Sequence, residues 1–398
     1  MHILLIHQAF VSLDEPGGTR HHELARDLVR RGHRVTVIAS RVSYLTGTAT
    51  HAPTGSEDGI LVRRASTYQA LHRSFVHRIL AFLSFMASSF FIGLGVKNVD
   101  LVWGTSPPIF QAWTAWLLAR LKRAPFLFEV RDLWPTFAIA VGVLKNPLLI
   151  RMSKWLERFL VRHADRVMVN SPGYIGHVTE LGARRVELVP NGADPAMFDP
   201  AEGGRSFRAS HHLEQNFVVM YAGAHGMSND LGVVLAAARL LEDAPEIHLV
   251  LVGDGKEKAG LQAQAARMRL ANVTFLAPVP KTEMAETLAG ADACLAILMP
   301  IEAYQTTFPN KVFDYMAAGR PVVLAIDGVI RQVIEQAGGG VFVRPGDPQA
   351  LAEGIRKLAR DRAGSAAMGQ AGRRYVEQHF ARSSSAEKLA GIVEEMGR

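Results

Sequence analysis

Short apolar segments, each followed by a turn rich in glycine or proline and then by a helical segment, recur along almost the whole chain. This alternation is typical of parallel sheets that are covered by helices on both faces. It is interrupted by a polar, glycine-rich stretch without periodicity, which runs up to Gln215. We interpret that stretch as a linker, so the sequence predicts an α/β protein with two doubly wound domains, residues 1–195 and 196–379.

The individual elements follow from apolar runs and from start and stop signals. The predicted strands are 2–6, 34–39, 100–103, 126–130, 166–169, 186–189, 216–221, 247–252, 273–276, 293–298, 322–325 and 341–343. The predicted helices are 20–30, 111–121, 148–163, 231–241, 256–269, 282–288, 309–319, further helices up to Arg362, and 386–396. Gly364-Ser365 and Ser383 to Ser385 are expected to interrupt the helical signal near the C-terminus.

The segment 308–321 brings charged side chains to the start of a short helix. Pro309 fits the first helical turn, which has no use for an amide hydrogen, and Gly319 fits the end of the helix. Lys311 and Asp314 are three residues apart, so the helix places them on one face beside its N-terminus. An ammonium group there suits a diphosphate, and a carboxylate suits ribose hydroxyls. On this segment alone, a solvated ion pair on a surface helix fits equally well.

The chain has a formal net charge of +7 and a single cysteine, Cys294. The charge indicates anionic partners, and because no nucleic-acid motif is present we expect phosphorylated ligands or an anionic membrane surface, and no nucleic acid. A lone cysteine in an apolar run excludes an intramolecular disulfide and fits a reducing compartment. The N-terminus opens with a strand rather than a leader peptide, so we expect a cytoplasmic protein. The scattered histidines offer no metal-site spacing.

An uncharged run occupies residues 79–96 and is preceded by Arg73, His77 and Arg78. Its length is at the lower limit for a membrane-spanning helix, and segments with domain character flank it on both sides. We therefore predict a helix that is partly core and partly membrane surface, with its basic flank facing anionic lipid. A fully buried core helix is the alternative.

Glycine and charged residues follow several predicted strands, at the edge where open α/β sheets bind ligands. Gly17 and Gly18 follow the first strand, where they either let a phosphate or sugar approach the backbone or form a simple turn. The pattern G-x-G-x-x-G is absent there, which counts against a nicotinamide enzyme. Arg131 and Asp132 follow the strand 126–130 and are candidates for chemistry or for a structural pair.

Six motifs in order resemble the retaining glycosyltransferases of family 4 over nearly the whole chain. Within that family the chain is most similar to the WbuB-type O-antigen and capsule N-acetyl-fucosamine transferases. The resemblance implies the GT-B fold, with two Rossmann-like domains, an interdomain cleft and a C-terminal helix, about 380–398, that packs back on the first domain. The motifs are Gly17-Gly18 with RHHELA at 20–25, TSPP at 105–108, VRDLWP at 130–135, VPNGAD at 189–194, LVGDG at 251–255 and PNKVFDYMAAGRP at 309–321.

The resemblance also implies an activity. A sugar, expected to be an N-acetylated or deoxy amino sugar, would move with retention from a UDP-sugar to a polyprenyl-diphosphate-linked saccharide in surface polysaccharide synthesis. The enzyme would bind peripherally to the inner face of the membrane. The implied nucleotide-binding residues are Gly223, His225, Gly226, Gly253, Phe275, Pro278, Thr307, Phe308, Lys311 and Asp314. The implied donor-side residues are Gly17, Gly18 and Thr306, and the implied acceptor-side residues are His21, Glu129 and Trp134.

Three residues receive catalytic roles from the resemblance. Lys311 would neutralise the leaving diphosphate, which is electrostatic stabilisation of developing charge. Arg131 would contact the donor sugar or an acceptor phosphate. Asp132 would accept the proton of the acceptor hydroxyl, unless the leaving phosphate takes that proton and no protein base exists.

The chain departs from the family pattern at two places. The family motif E-x7-E has Thr306 in place of its first glutamate and Asp314 in place of its second. A ribose role for Asp314 survives this change, whereas a carboxylate on the donor sugar would have to come from elsewhere, for instance from Glu302. The histidine that the family often carries at the acceptor-side loop is replaced by Arg131-Asp132. No D-x-D pair is present, so we expect metal-independent chemistry without a cofactor.

Two other functions fit the same residues. One is a GT-B enzyme that does not transfer its sugar, such as a UDP-sugar epimerase, which would release UDP without needing an acceptor. The other is a sugar-binding protein without catalysis, which would bind its ligand tightly and show no turnover.

Overall fold

The computed structural model describes residues 1–43, 47, 54–68, 75–198 and 204–397, without the side chains of residues 75, 76 and 78. The chain forms two compact units. The first unit comprises Met1–Ser12, Gly18–Pro190 and Arg382–Arg398, and the second comprises Leu13–Gly17 and Asn191–Ala381. The chain therefore leaves the first unit after Pro190 and returns to it for the last helix.

Within its described residues, the first unit contains an eight-stranded sheet in the order β3-β4-β2-β1-β5-β6-β7-β8. The strands are β1 His2–Ile6, β2 Arg34–Ser40, β3 Gly55–Glu57, β4 Ile60–Ala65, β5 Leu101–Ser106, β6 Phe126–Val130, β7 Arg166–Val169 and β8 Val186–Leu188. Neighbours run parallel, except that β3 is antiparallel to β4. Every residue of β1 and β6 is buried, which explains why these strands read as continuous apolar runs.

Helices cover both faces of this sheet. They are α1 Arg20–Arg30, α2 Phe75–Leu94, α3 Ile109–Lys122, α4 Thr136–Ala140, α5 Pro147–His163, α6 Ile175–Glu180 and, from the far end of the chain, α15 Arg382–Met396. On one face, α1 and α15 pack against Ile3 and Leu5. On the other face, α2, α3 and α5 pack against the core that contains Leu4 and Ile6.

In the part of the second unit that the structure describes, six parallel strands form a sheet in the order β11-β10-β9-β12-β13-β14. Its strands are β9 Phe217–Ala222, β10 Ile247–Val252, β11 Val273–Leu276, β12 Ala293–Ile297, β13 Val322–Ala325 and β14 Gly340–Phe342. Its helices are α7 Arg205–Ser210, α8 Leu231–Leu240, α9 Lys258–Met268, α10 Lys281–Ala289, α11 Asn310–Ala317, α12 Val329–Ala337, α13 Pro348–Arg360 and α14 Arg362–His379. Apolar cores lie on both faces of the sheet.

The predicted strands and most predicted helices are confirmed, with small shifts at their ends. The sequence did not predict the strands β3 and β4 or the helices α4, α6, α7, α12 and α14. In β4, Arg63 and Arg64 break the apolar pattern, yet Arg64 is buried. Its Nη1 atom donates to the carbonyl oxygens of Phe10 and Ser40, at 3.3 and 3.2 Å, which gives the buried guanidinium two partners inside the unit.

The predicted interruptions near the C-terminus are wrong. The Asp361 carboxylate accepts a hydrogen bond from the amide of Gly364 at 2.8 Å, so this region starts α14 rather than breaking a helix. Ser383 to Ser385 lie inside α15, where the Ser385 hydroxyl donates to the carbonyl of Pro190 at 3.1 Å. Serine is tolerated at these positions because its polar atom finds a partner.

The uncharged run forms α2, which is only partly buried. Phe85 has no exposed surface, whereas Phe91 is 71% exposed, so the alternative of a fully buried core helix is wrong. Among the described residues, no helix is both long enough and apolar enough to cross a bilayer. Of the basic flank, Arg73 and the side chain of Arg78 lie outside the described part.

Candidate active site

Two glycine-rich loops meet at the carboxyl ends of β9 and β10 in the second unit. The amide of His225 donates to the carbonyl of Asp254 at 2.8 Å, which ties the loops together through their backbones. Gly223 and Gly253 have φ values of +155° and +145°. A Cβ atom on Gly253 would lie 1.9 Å from the carbonyl oxygen of Gly223. Only glycine fits this contact, so the two loops can approach each other closely through their backbones.

Lys311 places its amine against the first of these loops. The Nζ atom donates to the Tyr221 hydroxyl at 2.7 Å and lies 3.9 Å from the centre of its ring. The Tyr221 hydroxyl in turn donates to the carbonyl of Ala224 in the loop, at 2.7 Å. A Cβ atom on Gly223 would lie 2.6 Å from Nζ. These contacts thus hold the lysine, the tyrosine and the loop together.

Burial lowers the pKa of Lys311 to about 7. The cause is desolvation, since the charged amine has lost part of its water and the tyrosine offers only a neutral partner. An anionic group that arrived beside Nζ would restore the favourable environment for the charge. The arrangement therefore suits a ligand with phosphate groups.

His225 and Phe275 come together beside the loops, with ring centres 6.1 Å apart. His225 is fully buried. Burial, and secondarily the cations Lys258 and Lys311, lower its pKa to about 4, so the imidazole is neutral at pH 7. Gly226 begins the next turn, and Pro278 follows β11. The four residues lie in the loops after β9 and β11 or on β11 itself, and their predicted role in nucleotide binding stays a prediction.

Asp314 pairs with a lysine that the sequence analysis missed. Its Oδ1 atom lies 2.6 Å from Nζ of Lys281, and both side chains are largely buried. The Lys281 amine also lies 5.0 Å from the centre of the Phe198 ring. Lys311 and Asp314 therefore have different partners, and the alternative of a solvated ion pair between them is wrong. The position of Lys281, at the start of α10 directly after Pro278-Val279-Pro280, was the signal available in the sequence.

Residues 306–308 join a turn of 3-10 helix, Glu302–Thr306, to α11. The Thr306 hydroxyl donates to the carbonyl of Ala303 at 2.7 Å, and the amide of Thr307 donates to the carbonyl of Tyr304 at 3.1 Å. Phe308 is buried, and its carbonyl accepts a hydrogen bond from Asn191 at 2.7 Å. For Thr307 to donate to a phosphate through its amide, the turn would have to release that bond. Glu302, the suggested substitute carboxylate, is exposed.

In the first unit, Glu129 lies at the centre of a buried polar cluster. Its carboxylate accepts hydrogen bonds from Arg20, His21 and Trp103 at 3.2, 2.7 and 3.1 Å. Burial alone would raise the pKa of Glu129, but His21 and Arg20 lower it to about 2. Glu129 has no exposed surface and His21 has almost none, so an acceptor could not touch them in this conformation. Their predicted acceptor role stays a prediction.

Arg131 and Asp132 follow β6 as predicted. The Arg131 guanidinium donates to the carbonyl of Pro107 at 3.0 Å, so it is held by the loop after β5. Burial raises the pKa of Asp132 to about 6, against the opposing effect of Arg131. A carboxylate with this pKa is suited to accept a proton near neutral pH. Trp134, the other predicted acceptor residue of this loop, packs at 5.7 Å from the ring of Phe110.

Gly17 and Gly18 lie where the chain passes from the loop Leu13–Gly17, which belongs to the second unit, back into the first. Gly17 has a φ of +151°, which favours glycine. A Cβ atom on Gly18 would have open space around it. Within the second unit, the carbonyl of Leu13 accepts a hydrogen bond from the amide of Thr282 in α10.

The chain matches two family models, one over each sheet. The model described as "Glycosyl transferase 4-like domain" matches residues 17–192, and the model described as "Glycosyl transferases group 1" matches residues 216–361. The chain is therefore a glycosyltransferase, matched by a 4-like model over its first sheet and by a group 1 model over its second. The resemblance inferred from the six motifs is thereby confirmed at the level of the family.

Relatives of this glycosyltransferase span most of its length. It is 28% identical to the D-inositol 3-phosphate glycosyltransferase of Streptomyces avermitilis over 88% of this chain and 78% of that protein. It is 25% identical to a glycogen synthase of Mycobacterium tuberculosis over 96% of this chain and 91% of that protein. These relatives are not WbuB-type transferases, so the finer resemblance is not supported by them.

Solved structures show that the glycosyltransferase has the GT-B fold. Sucrose-phosphate synthase from Thermosynechococcus elongatus superposes with a TM-score of 0.79 at 18% identity, covering 99% of this chain and 98% of that one. Anabaena HepE in complex with UDP-glucose gives 0.75 at 18% identity, covering 99% and 100%. WaaG, a glycosyltransferase involved in lipopolysaccharide biosynthesis, gives 0.72 at 17% identity, covering 98% and 99%.

Proposed function

We propose that this glycosyltransferase moves a sugar from a UDP-sugar, with retention at the anomeric carbon, to a lipid-linked saccharide in surface polysaccharide synthesis. The observation that carries the proposal is the Lys311 amine held against the glycine loops after β9 and β10, with its pKa lowered to about 7 by burial. Such a site gains most from a ligand that brings a diphosphate.

The chemistry follows from where charge develops. The bond between the anomeric carbon and the β-phosphate oxygen breaks while a bond to the acceptor oxygen forms on the same face of the sugar. Lys311 stabilises the negative charge that gathers on the leaving UDP. Asp314, oriented by Lys281, accepts hydrogen bonds from the ribose hydroxyls. The acceptor proton passes either to Asp132 or to the leaving phosphate, and the raised pKa of Asp132 is compatible with the first route.

The donor and acceptor classes have different support. HepE was solved with UDP-glucose, which favours a UDP-sugar for a chain of the same fold. The expected donor sugar is an N-acetylated or deoxy amino sugar, as in the WbuB-type enzymes. The lipid-linked acceptor and a peripheral position at the inner face of the membrane are supported by the exposed apolar side chains of α2. The names of the relatives suggest a competing acceptor, either an inositol phosphate or a glucan.

A metal-independent reaction without a cofactor is part of the proposal. In the described parts of the chain, no group of three or more His, Cys, Asp or Glu side chains is arranged to hold a metal ion. Lys311 would supply the positive charge that a divalent cation supplies in other transferases. Full activity in the presence of EDTA is expected, and a requirement for added Mg²⁺ or Mn²⁺ would contradict this part.

The test begins with nucleotide selectivity. UDP should raise the melting temperature more than GDP or dTDP, because a ligand stabilises the folded state according to its affinity. Transfer from UDP-sugars is then measured with lipid-linked saccharides, inositol phosphate and glucan as separate acceptors. The anomeric configuration of the product, read by NMR, reports retention.

Variants decide the role of the site. Lys311→Ala should abolish transfer, whereas Lys357→Ala, on the exposed surface of α13, should leave it unchanged. Stronger stabilisation by GDP, or full activity of Lys311→Ala, would defeat the assignment. UDP release that needs no acceptor would favour the epimerase, and binding without turnover would favour a sugar-binding protein.

A further inference from the structure

Three neighbouring helices of the first unit leave large apolar side chains in contact with solvent. The central helix α3 packs against α2 on one side and against α5 on the other. The exposed side chains are Leu80, Leu83, Phe91 and Leu94 of α2, Leu121 of α3, and Leu148, Met152 and Trp155 of α5. We call this surface the helical face. Large apolar side chains exposed on neighbouring helices mark an interaction site.

The exposed residues follow helical spacing on both outer helices. On α2, the positions 80, 83, 91 and 94 fall on one side of the helix, and on α5 the positions 148, 152 and 155 do the same. Leu148, Met152 and Trp155 are 65, 57 and 57% exposed. The helix α5 therefore has one apolar side in the core and a second apolar stripe that faces outward. Packing within the unit does not account for the outer stripe.

An aromatic cluster lies between α3 and α5 beside this stripe. Trp155 stacks on Phe159 with ring centres 5.4 Å apart, and Trp113 lies within 5.2 Å of Phe159 and 5.0 Å of Trp116. Tryptophan rings favour the boundary between water and hydrocarbon, where an apolar body and an N–H group are both accommodated. The cluster makes the helical face resemble a membrane-interface belt rather than a protein core.

Positive charges predominate around the helical face, although the adjoining turns also carry the exposed Asp100 and Asp165. Exposed cations on its helices and adjoining turns are Lys97, Arg120, Arg123, Lys145, Arg151, Lys154, Arg158 and Arg162. The sequences of α2 and α3 contain no acidic residue, and the only one in α5 is Glu157. Glu157 is buried and accepts a hydrogen bond from His177 at 2.8 Å, so it does not offset the surface charge. Apolar side chains ringed by cations complement an anionic lipid surface.

We propose that the helical face docks on an anionic lipid bilayer, with α5 lying in the plane of the headgroups. The apolar side chains that reach the outer part of the acyl-chain region are Leu148, Met152 and Trp155. The cations that contact lipid phosphates are Arg151, Lys154 and Arg158. The biological purpose of this docking rests on the proposed function, because it assumes an acceptor that is carried by a lipid. The binding to the bilayer itself needs neither donor nor acceptor. Mutual repulsion of the cations disfavours a second copy of the chain as the occupant.

The test is co-sedimentation of the full chain with vesicles. Phosphatidylcholine vesicles containing phosphatidylglycerol should bind the protein, and phosphatidylcholine alone should bind it much more weakly. Arg151→Gln, Lys154→Gln and Arg158→Gln together should weaken binding by about a hundredfold, since each cation near an anionic surface contributes roughly a fivefold factor. The matched control is Arg267→Gln, Lys357→Gln and Lys388→Gln, which removes three exposed cations elsewhere and should have little effect.

The apolar part is tested separately. Leu148→Ser, Met152→Ser and Trp155→Ser together should reduce vesicle binding by about tenfold or more. The serine variant loses the free energy that the apolar side chains gain on transfer from water into the bilayer. Leu240→Ser, on an exposed apolar side chain of α8, is the control. High salt should weaken binding of the wild-type protein and of the serine variant alike.

Three results would overturn the proposal. They are equal binding to neutral and anionic vesicles, full binding by both triple variants, and a dimer in sedimentation equilibrium that the serine variant dissociates. Stabilisation by UDP is measured on every variant. Loss of vesicle binding with intact UDP stabilisation supports the docking face even if the proposed acceptor is wrong. Failure of UDP to stabilise any form would instead defeat the proposed function and leave the docking result standing.

Discussion

At the scale of single residues, the state of Lys311 governs how the second unit responds to pH. Its pKa is lowered to about 7 in the free protein because the amine is buried beside a neutral tyrosine. A bound diphosphate favours the charged amine and raises that pKa. Binding of UDP above pH 7 must therefore take up a proton.

We predict that the affinity for UDP falls as the pH rises from about 7 to about 9, by at most about tenfold per pH unit. Calorimetry at pH 8 in buffers of different ionisation enthalpy should show proton uptake of up to one proton per UDP. Lys311→Met should bind weakly at every pH and lose this dependence. An affinity that is constant over the range would show that Lys311 is already charged in the free protein.

Lys281 is predicted to position Asp314. Lys281→Met should weaken UDP binding by about tenfold or more, because a hydrogen bond to a charged group is worth about 1.5–3 kcal/mol and the carboxylate loses its fixed orientation. Asp314→Asn should have a similar effect, and the double variant should cost less than the sum. Lys357→Met serves as the control. Additive losses, or tighter binding by Lys281→Met, would contradict the positioning role.

Sequence reasoning found Lys311 and the glycine loops because their chemistry is local: a cation beside a helix start and glycines directly after strands. It did not find Lys281, because the choice of Lys281 rather than Lys311 as the partner of Asp314 depends on how α10 and α11 meet in space. It could not foresee that Glu129 has no exposed surface. A glutamate at the end of a strand looks the same in sequence whether it faces a ligand or a buried arginine.

At the scale of elements, the close contact between the loops after β9 and β10 would be disrupted by the single methyl group that an alanine adds to a glycine. Gly253→Ala should lower stability by about 1–3 kcal/mol, since its φ of +145° strains any side chain and the Cβ atom meets the Gly223 carbonyl. Stabilisation by UDP should be lost together with the loop geometry. Both are measured by thermal unfolding with and without UDP.

Gly232→Ala is the matched control for that variant. Gly232 lies in α8, and a Cβ atom there meets nothing within 4 Å. The replacement should stabilise the protein by up to about 1 kcal/mol, because alanine is the better helix former. If Gly253→Ala behaved like Gly232→Ala, the backbone contact between the two loops would not be required.

The elements that the sequence predicted and those it missed differ in a physical way. Buried parallel strands such as β1 and β6 are continuous apolar runs, which are readable without knowing their neighbours. β4 carries Arg64, whose burial is possible only because two backbone carbonyls from elsewhere in the unit reach it. α12 has Ile330, Val333 and Ile334 at helical spacing, so the sequence does carry a local signal for this helix.

At the scale of the whole molecule, the first unit depends on a helix from the far end of the chain. Leu389 of α15 has no exposed surface and belongs to the same core as Ile3 and Leu24. Arg382 at the start of α15 donates to the buried Glu23 carboxylate at 2.8 Å. The last helix therefore supplies both apolar contacts and a buried ion pair to the first unit.

Leu389→Ala should destabilise the first unit by about 2–5 kcal/mol, the usual cost of such a cavity. Hydrogen exchange of the β1 and β2 amides should accelerate, while that of β9 and β10 in the second unit should change little. Glu387→Ala, at an exposed position of the same helix, should stay within about 0.5 kcal/mol of the wild type. Equal acceleration in both sheets would show that the two units unfold together.

The position of α15 in the chain also sets an order of assembly during translation. The ribosome delivers residues 382–397 after the whole of 191–381, so the sheet of the first unit emerges early but waits for the helix that covers Ile3, Leu5 and Leu24. The second unit, apart from Leu13–Gly17, is continuous and fully emerged by then. We therefore expect the second unit to reach its native state first on the nascent chain, with the first unit keeping an open apolar groove that chaperones recognise.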